Sequence, residues 1–219
     1  MTTLLIATRN RHKVGEIQTI LGAQFQFLTL DDFSTAPKVV EDAETFAGNA
    51  TKKAVELARW LVSDNSKLNN KNSMPDFVLA DDSGLEVDAL GGKPGVHSAR
   101  FAALDKNENS NDADNNAKLL RLLKDVPAGK RTARFRCVIA LVKINPQPAI
   151  RNPQLSDGVC DGKIIFTPAG KNGFGYDPLF VPDGFEWTFA ELGEDVKNKL
   201  SHRAKALEKL KNYFSKLPS

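Results

Sequence analysis

Ala133-Arg134-Phe135-Arg136-Cys137-Val138-Ile139-Ala140-Leu141-Val142 is an apolar, β-branched run and reads as the clearest strand of the chain. Working outward from it, Ala113–Leu123 reads as a helix and Leu85–Leu90 as a strand, which meets the breakers Gly91-Gly92-Lys93-Pro94-Gly95. Phe77–Ala80 is a short strand that delivers Asp81-Asp82-Ser83-Gly84 to what reads as a turn. Further upstream, Glu44–Val62 is a long helix carrying Phe46, Ala50, Ala54, Leu57, Ala58 and Leu61 on one face. Leu4–Ala7 and Phe25–Leu30 read as strands around a helix at Lys13–Leu21, whose apolar positions are Val14, Ile17, Ile20 and Leu21. Ser63–Asp76, rich in Asn, Ser and Lys, reads as a polar loop insertion. Downstream, Asn145–Asp157 is a hairpin or loop, Gly158–Phe166 a strand, Gly170–Gly175 a glycine-rich loop and Pro178–Val181 a short strand. Leu200–Phe214 closes the chain as a basic amphipathic helix with Ala204, Leu207 and Leu210 inside. Strands and helices joined by both crossovers and hairpins predict an α/β fold with a mixed sheet and a cleft where polar strand ends gather. The chain has no internal repeat of fixed period.

At 219 residues, 41% hydrophobic and 26% charged, the composition is that of a globular enzyme with a sizeable core, and one domain of two lobes is expected over residues 1–219. A net charge of +3 is too small for a surface that coats nucleic acid, and it suits a cleft where local positive charge meets phosphates. Cys137 and Cys160 form neither a disulfide framework nor a zinc quartet, and read as buried thiols in a reducing compartment. The first residues carry no basic region, and no stretch approaches the roughly 20 apolar residues that cross a bilayer. The expectation is a cytoplasmic protein without membrane contact.

Five constellations carry candidate chemistry. Ala7-Thr8-Arg9-Asn10-Arg11-His12-Lys13 joins a strand to a helix N-terminus, whose unpaired N–H groups hold anions. The same residues also make an ordinary capped helix. Asp81-Asp82-Ser83 can offer oxygen ligands to a hard cation or a carboxylate to a water, and it is also good Asx-turn chemistry. Adjacent strand side chains point oppositely, so one of the two aspartates faces the cleft. Glu41-Asp42 precedes the long helix, on which Asn49 and Lys53 share a face. Gly170-Lys171-Asn172-Gly173-Phe174-Gly175-Tyr176-Asp177-Pro178 lets backbone approach a ligand closely and offers aromatics for stacking on a base, or else a plain turn with core aromatics. The fifth is Lys197 with Ser201-His202-Arg203: Ser201 can cap the last helix, and His202 and Arg203 in its first turn oppose its dipole, a local rule broken where an anion would offset it. Together the five supply a hard-metal carboxylate site, several cations and stacking rings, the set a nucleoside triphosphate needs.

With these blocks in view, the chain resembles the inosine triphosphate pyrophosphatase family of non-standard purine nucleotide pyrophosphatases. The likeness runs from Leu5 to Leu207 through Ile6–Lys13 with Glu16, Thr45-Phe46, Asn49-Ala50, Lys53-Ala54 and Ala80–Leu85. It continues through Gly91-Gly92, Pro94-Gly95, Ser98-Ala99-Arg100, Gly173–Pro178, Ala190-Glu191-Leu192, Lys197 and Ser201–Arg203. The resemblance implies an elongated mixed sheet with flanking helices, two lobes around a central nucleotide-binding cleft, and a homodimer. It implies Mg²⁺-dependent cleavage of ITP, dITP and XTP to monophosphate and pyrophosphate. By the same resemblance Thr8, Arg9, Asn10, Arg11, His12 and Lys13 contact the triphosphate, Asp82 binds metal and acts as general base, and Ser83 touches substrate. Phe174, Gly175, Tyr176 and Asp177 frame base and sugar, Lys197, His202 and Arg203 complete the pocket, and Lys53 and Arg100 serve the phosphates.

The chain departs from the family pattern at two places. Ala43 stands where a glycine is usual and Val40 at an acidic position, so the second metal ligand is carried to Glu41, the nearest carboxylate. His97 replaces an aromatic before the Ser-Ala-Arg block. The rival readings are a Maf-like pyrophosphatase of pyrimidine or modified nucleotides and a non-catalytic nucleotide- or RNA-binding protein. The spread of basic residues, with no basic tract, counts against the second.

Overall fold

The structure is a computed structural model and describes residues 1–63, 74–106, 109–144 and 152–217. In β1 (Thr2–Ile6) the side chains of Leu4, Leu5 and Ile6 are wholly buried, the continuous apolar run of a strand covered on both faces. Such burial contributes about 1.5–3 kcal/mol per side chain. There follow α1 (Arg11–Leu21), β2 (Phe25–Thr29), α2 (Phe46–Val62), β3 (Phe77–Val87), α3 (Asp112–Leu122), β4 (Thr132–Lys143) and β5 (Gln154–Ile164). The chain ends with β6 (Phe180–Pro182), α4 (Phe189–Leu192), α5 (Glu194–Leu200) and α6 (His202–Phe214). The sheet runs β2-β1-β3-β4-β5-β6. It is mixed, since β1 is parallel to both β2 and β3 while β6 runs antiparallel to β5. An α/β fold with flanking helices is what the alternating pattern predicts.

The chain divides into two compact units, one of Met1–Asp82, Val138–Asp157 and Ala206–Ser219, the other of Ser83–Cys137 and Gly158–Lys205. In the first, α2 buries the predicted face Phe46, Ala50, Ala54, Leu57, Ala58 and Leu61, and Phe214 packs on Phe25 and Phe77 at 4.9 and 5.3 Å between ring centroids. The crossover through α1 carries the chain from β1 to β2, and β3 lies on the other side of β1. That reversal is the switch point at which α/β sheets bind ligands, at the carboxyl ends of the strands.

In the second unit Leu85, Val87, Phe101, Leu119, Leu123, Phe135 and Tyr176 belong to one buried cluster with Phe180 and Phe189. Arg131, missed by the sequence reading, is 2% exposed and donates to the carbonyls of Leu123, Val126 and Ile165 at 2.7, 3.1 and 2.9 Å while its guanidinium covers the Phe166 ring. It satisfies backbone acceptors just past the end of α3, where helix carbonyls lack partners.

Several expectations need correction. Asp81-Asp82-Ser83-Gly84 is not a turn: β3 runs unbroken from Phe77 to Val87, taking in part of the strand expected at Leu85–Leu90. Gly84 serves close approach instead, because a Cβ there would collide with Ser98 Oγ and the Gly95 carbonyl, and the Leu85 N–H bonds Ser98 Oγ at 2.9 Å. Asp88–Leu90 is a short 3₁₀ turn. β5 spans Gln154–Ile164 rather than 158–166, and β6 lies one to two residues later than expected. The helix expected at Leu200–Phe214 begins at His202, since Ser201 is extended and its hydroxyl accepts from the Ala204 N–H as a cap. The short helices α4 and α5 had no counterpart in the sequence reading. Most of the insertion at 63–76 and of the loop at 145–157, namely 64–73 and 145–151, lies outside the described residues.

Candidate active site

The first unit gathers its polar groups past the end of β1, along the middle of β3 at Asp81 and Asp82, and at the starts of α1 and α2. Asn10 caps α1, its Oδ1 accepting from the His12 and Lys13 N–H groups at 3.0 and 3.2 Å, and Thr8 Oγ1 accepts from the Asn10 N–H at 3.2 Å. Arg9 donates to the Ala36 carbonyl at 3.1 Å and so tethers the segment leading to Glu41, while Arg11 and His12 stand exposed in the first turn. Asn10 thus satisfies two of the unpaired N–H groups at the start of the helix.

Lys13 Nζ lies 2.5 Å from Asp81 Oδ1. Lys53 Nζ donates to the Asp81 carbonyl at 2.7 Å, to Glu41 Oε1 at 3.1 Å and to Asp82 Oδ1 at 3.3 Å. Asn49 Nδ2 donates to Asp82 Oδ2 at 3.2 Å, and its Oδ1 accepts from the Ala43 N–H at 2.9 Å. Asn49 therefore links the metal-ligand candidates, holding Asp82 directly and Glu41 through its loop. Consecutive strand side chains face opposite ways, and so Asp81 meets α1 while Asp82 meets α2. The side-chain role of Asp81, partner to a phosphate-binding candidate, is a feature the sequence reading did not assign.

Three carboxylates, Glu41, Asp81 and Asp82, against two ammonium groups, Lys13 and Lys53, leave this cluster acidic. Burial, only partly offset by Lys53 and Lys13 and reinforced by Glu41 and Asp81, pushes Asp82 from 3.8 up to about 6. Burial also works against ionised Glu41, but Lys53 and Lys13 outweigh it and hold that carboxyl below its usual value. For Lys53 burial opposes the charge, yet Asp82, Glu41 and Asp81 together raise it. Among the described residues no group of three or more His, Cys, Asp or Glu side chains forms a complete metal cage. Glu41 and Asp82 converging on one ammonium nonetheless fit a hard cation that takes one or two carboxylates and completes its shell with water and phosphate oxygens.

The second unit brings together a different set. Phe174, half-buried, lies under Lys197 Nζ at 4.3 Å, with the Arg203 guanidinium 6.0 Å from the ring. Arg203, 1% exposed, donates to Ser83 Oγ at 2.8 Å. The His202 ring stacks on Phe135 at 4.8 Å and 12° between planes. Lys197 and Asp177 form a buried pair at 2.5 Å, and Asp177 Oδ2 also accepts from the Phe174 N–H at 2.9 Å. Tyr176 is a core residue, 4% exposed, whose hydroxyl donates to the Ser98 carbonyl at 2.9 Å, so it braces the loop from beneath. Gly175 has both backbone groups bonded to side chains of α3, and Arg100 lies half-buried at a non-helical kink between the short 3₁₀ turns of Gly95–Lys106.

The structure thus sorts the predicted residues. Thr8, Arg9, Asn10, Arg11, His12, Lys13, Glu41, Lys53 and Asp82 belong to the first unit. Ser83, Arg100, Phe174, Gly175, Tyr176, Asp177, Lys197, His202 and Arg203 belong to the second. Asp82 and Ser83 are consecutive on β3. Asp112 and Asn116, which hold Gly175, escaped notice; an acidic residue and an amide four apart at a helix start were the available signal.

Comparison with known proteins bears on the family and the fold. The model of the Ham1 family matches residues 4–213. A protein of Geobacter sulfurreducens named dITP/XTP pyrophosphatase is 47% identical over 215 residues, covering 98% of this chain and 97% of its own. Its namesake from Shouchella clausii is 44% identical over 211 residues, covering 96% of each. Among solved structures, a HAM1 protein from Coxiella burnetii superposes with a TM-score of 0.78 at 37% identity, covering 99% of this chain and 100% of that one. The Staphylococcus aureus Ham1 protein gives 0.77 at 31% identity and 98% coverage of both. A family match across nearly the whole length, relatives alike from end to end and neighbours of the same fold leave one assignment: the chain belongs to the Ham1 family.

Proposed function

We propose that the chain hydrolyses the triphosphates of non-standard purine nucleosides, ITP, dITP and XTP, to the monophosphate and pyrophosphate, as a single enzyme domain over residues 1–219. The observation that carries this reading is the cluster in which Lys53 and Asn49 hold the buried Asp82 beside the partly exposed Glu41 and Lys13. Full-length relatives named dITP/XTP pyrophosphatase support the same substrate class.

Glu41 and Asp82 would hold Mg²⁺, which when bound neutralises phosphate charge as the leaving group departs. Lys13 and Lys53 set ammonium groups against the polyphosphate, and the N–H groups of the first turn of α1 add their partial positive charge. Asp82 takes one proton from the attacking water. The water oxygen bonds to the α-phosphorus, and the bond from that phosphorus to the bridging oxygen breaks, its electron pair leaving with pyrophosphate. Phe174 offers a face for the base, and His202 and Arg203 offer donors to an oxygen at position six of the purine. Adenine would set an amino donor against those donors, and an unpaired buried polar group costs about 1–3 kcal/mol, roughly ten- to a hundredfold in selectivity. The proposal includes a homodimer acting in the cytoplasm on free nucleotides, without nucleic acid or membrane partners. Among the described residues no helix is long and apolar enough to cross a membrane.

Pyrophosphate release from ITP, XTP, ATP, dTTP and UTP, with Mg²⁺ and with chelator, tests the reading. Turnover confined to ITP and XTP and abolished by chelation is expected, and Glu41→Gln raises the Mg²⁺ concentration needed for half-maximal rate. Preference for dTTP or UTP would make the chain a Maf-like enzyme, and binding without cleavage would make it a nucleotide-binding protein; either result overturns the proposal.

A further inference from the structure

Helix α3 contributes nothing to the chemistry above, yet its first two turns are bonded to two separate loops of the second unit. Asn111 caps it, Oδ1 accepting from the Asp114 N–H at 2.8 Å, and Leu119 and, just beyond its end, Leu123 are wholly buried in the core of that unit. The helix is capped at one end and seated in the core at the other. From it Asp112 Oδ2 accepts the Gly175 N–H at 2.6 Å, and Asn116 Nδ2 donates to the Gly175 carbonyl at 3.0 Å. Residues four apart lie on one helix face, so the two side chains take both backbone groups of a single glycine, itself at φ +64°.

The residue before that glycine is Phe174. Its own N–H is bonded to Asp177 Oδ2, and the N–H of the peptide that follows it is bonded to Asp112. Both peptides flanking the ring are therefore fixed, and only its side-chain torsions remain. Next to Asn116, Asn115 Oδ1 accepts from the Ala102 N–H at 2.8 Å and Nδ2 donates to the Ala99 carbonyl at 3.4 Å, on either side of Arg100. One helix face thus ties down the loop of the aromatic and the segment of an arginine.

We propose that Asp112 and Asn116 are positioning residues that set base selectivity: they clasp Gly175 so that Phe174 presents a fixed face to the purine and the base edge meets its donors in register. This deepens the function proposed above and rests on it. Hydrogen-bond selectivity demands such fixity, because a base that tilts on a loose platform recovers partners the site was built to deny.

The test uses the full chain and four variants, scored by kcat and KM for ITP and ATP and by thermal midpoint. Asp112→Asn keeps an oxygen acceptor for the Gly175 N–H and should match the wild type. Asp112→Ala removes the bond, and Asn116→Asp sets a carboxylate against the Gly175 carbonyl. Both should raise KM for ITP about five- to tenfold with kcat within about twofold, and narrow the ITP-to-ATP ratio of kcat/KM about tenfold. Leu119→Val loosens the packing of α3 without touching the loop, and should lower the midpoint while leaving that ratio alone. Asp112→Ala and Asn116→Asp that lose stability but keep the ratio would overturn the proposal, as would an Asp112→Asn as damaging as Asp112→Ala. A wild type inert toward ITP would sink the functional reading instead. Hydrogen exchange at the Gly175 amide then still reads the clasp: it should quicken in Asp112→Ala and stay slow in Asp112→Asn, and equal rates in both would refute it.

Discussion

Replacing Asp82 by asparagine should make the metal-free protein more stable above neutrality while abolishing turnover. The carboxyl is 4% exposed, and burial moves it from 3.8 to about 6. Each unit corresponds to about 1.4 kcal/mol, so ionising the folded protein costs about 3 kcal/mol. Because the folded value lies above the unfolded one, this contribution is fully present below 3.8 and is lost as pH rises through about 6. Glu41 acts in the opposite sense, its lowered value withdrawing stability only as pH falls below the carboxylate's ordinary 4.5. Between pH 5 and 8 Asp82 withdraws stability as pH rises, while His97, lowered from 6.5 by burial and by Arg100, acts in the opposite sense in wild type and variant alike, so the difference between the two belongs to Asp82. An asparagine there carries no charge to desolvate, but turns one amino group toward donors from Lys53 or Asn49, a loss of about 1 kcal/mol. The net gain at pH 8 is about 1–2 kcal/mol. Urea denaturation in chelator at pH 5 and pH 8 measures it. The wild type should lose stability between the two pH values and the variant should not; parallel slopes, or a variant less stable at pH 8, would refute the reasoning.

Two further outcomes follow from the second unit. Gly173 sits at φ +75°, and an added Cβ would run into Asp177 Oδ2, so Gly173→Ala should lower stability by about 1–3 kcal/mol, read by thermal melting, and raise KM for ITP more than it lowers kcat. Cys160 is buried, burial pushing its thiol up to about 11, and Cys137 is wholly buried, so neither should react with a thiol reagent at pH 8 until the protein unfolds.

The parts legible in the sequence are those governed by local pattern. The buried face of α2, the strand from Leu4 and the helix it leads to, and the strand through Ala133–Val142 all follow from apolar spacing. The pairing of Asn49 and Lys53 on one face carried through to the grip on Asp82. Reading Asp81–Gly84 as a turn failed because the approach of Ser98 and Gly95, distant in sequence, gives the glycine a different use. Tyr176 looked like a stacking residue because nothing local reveals that its hydroxyl meets the Ser98 carbonyl. Arg131 and Asp112 act on backbone groups of loops far along the chain; the four-residue spacing of Asp112 and Asn116 marks a shared helix face but does not name Gly175 as the partner. The small helix α4 was legible after all, since Thr188 and Glu191 form a capping box of the standard spacing.

One property of β3 bears on how this chain can vary. Its neighbouring aspartates are sorted by parity alone, Asp81 to Lys13 and Asp82 to Lys53, in a strand whose register with β1 is set at Phe77–Leu79. Point replacements alter one side at a time. Deleting a single residue after Leu79 would exchange the two faces at once, giving each helix the wrong acid, and removing two would restore parity yet shift both by about 6–7 Å along the strand. A change of length here therefore disturbs both acid–lysine pairs together, whereas a replacement disturbs one.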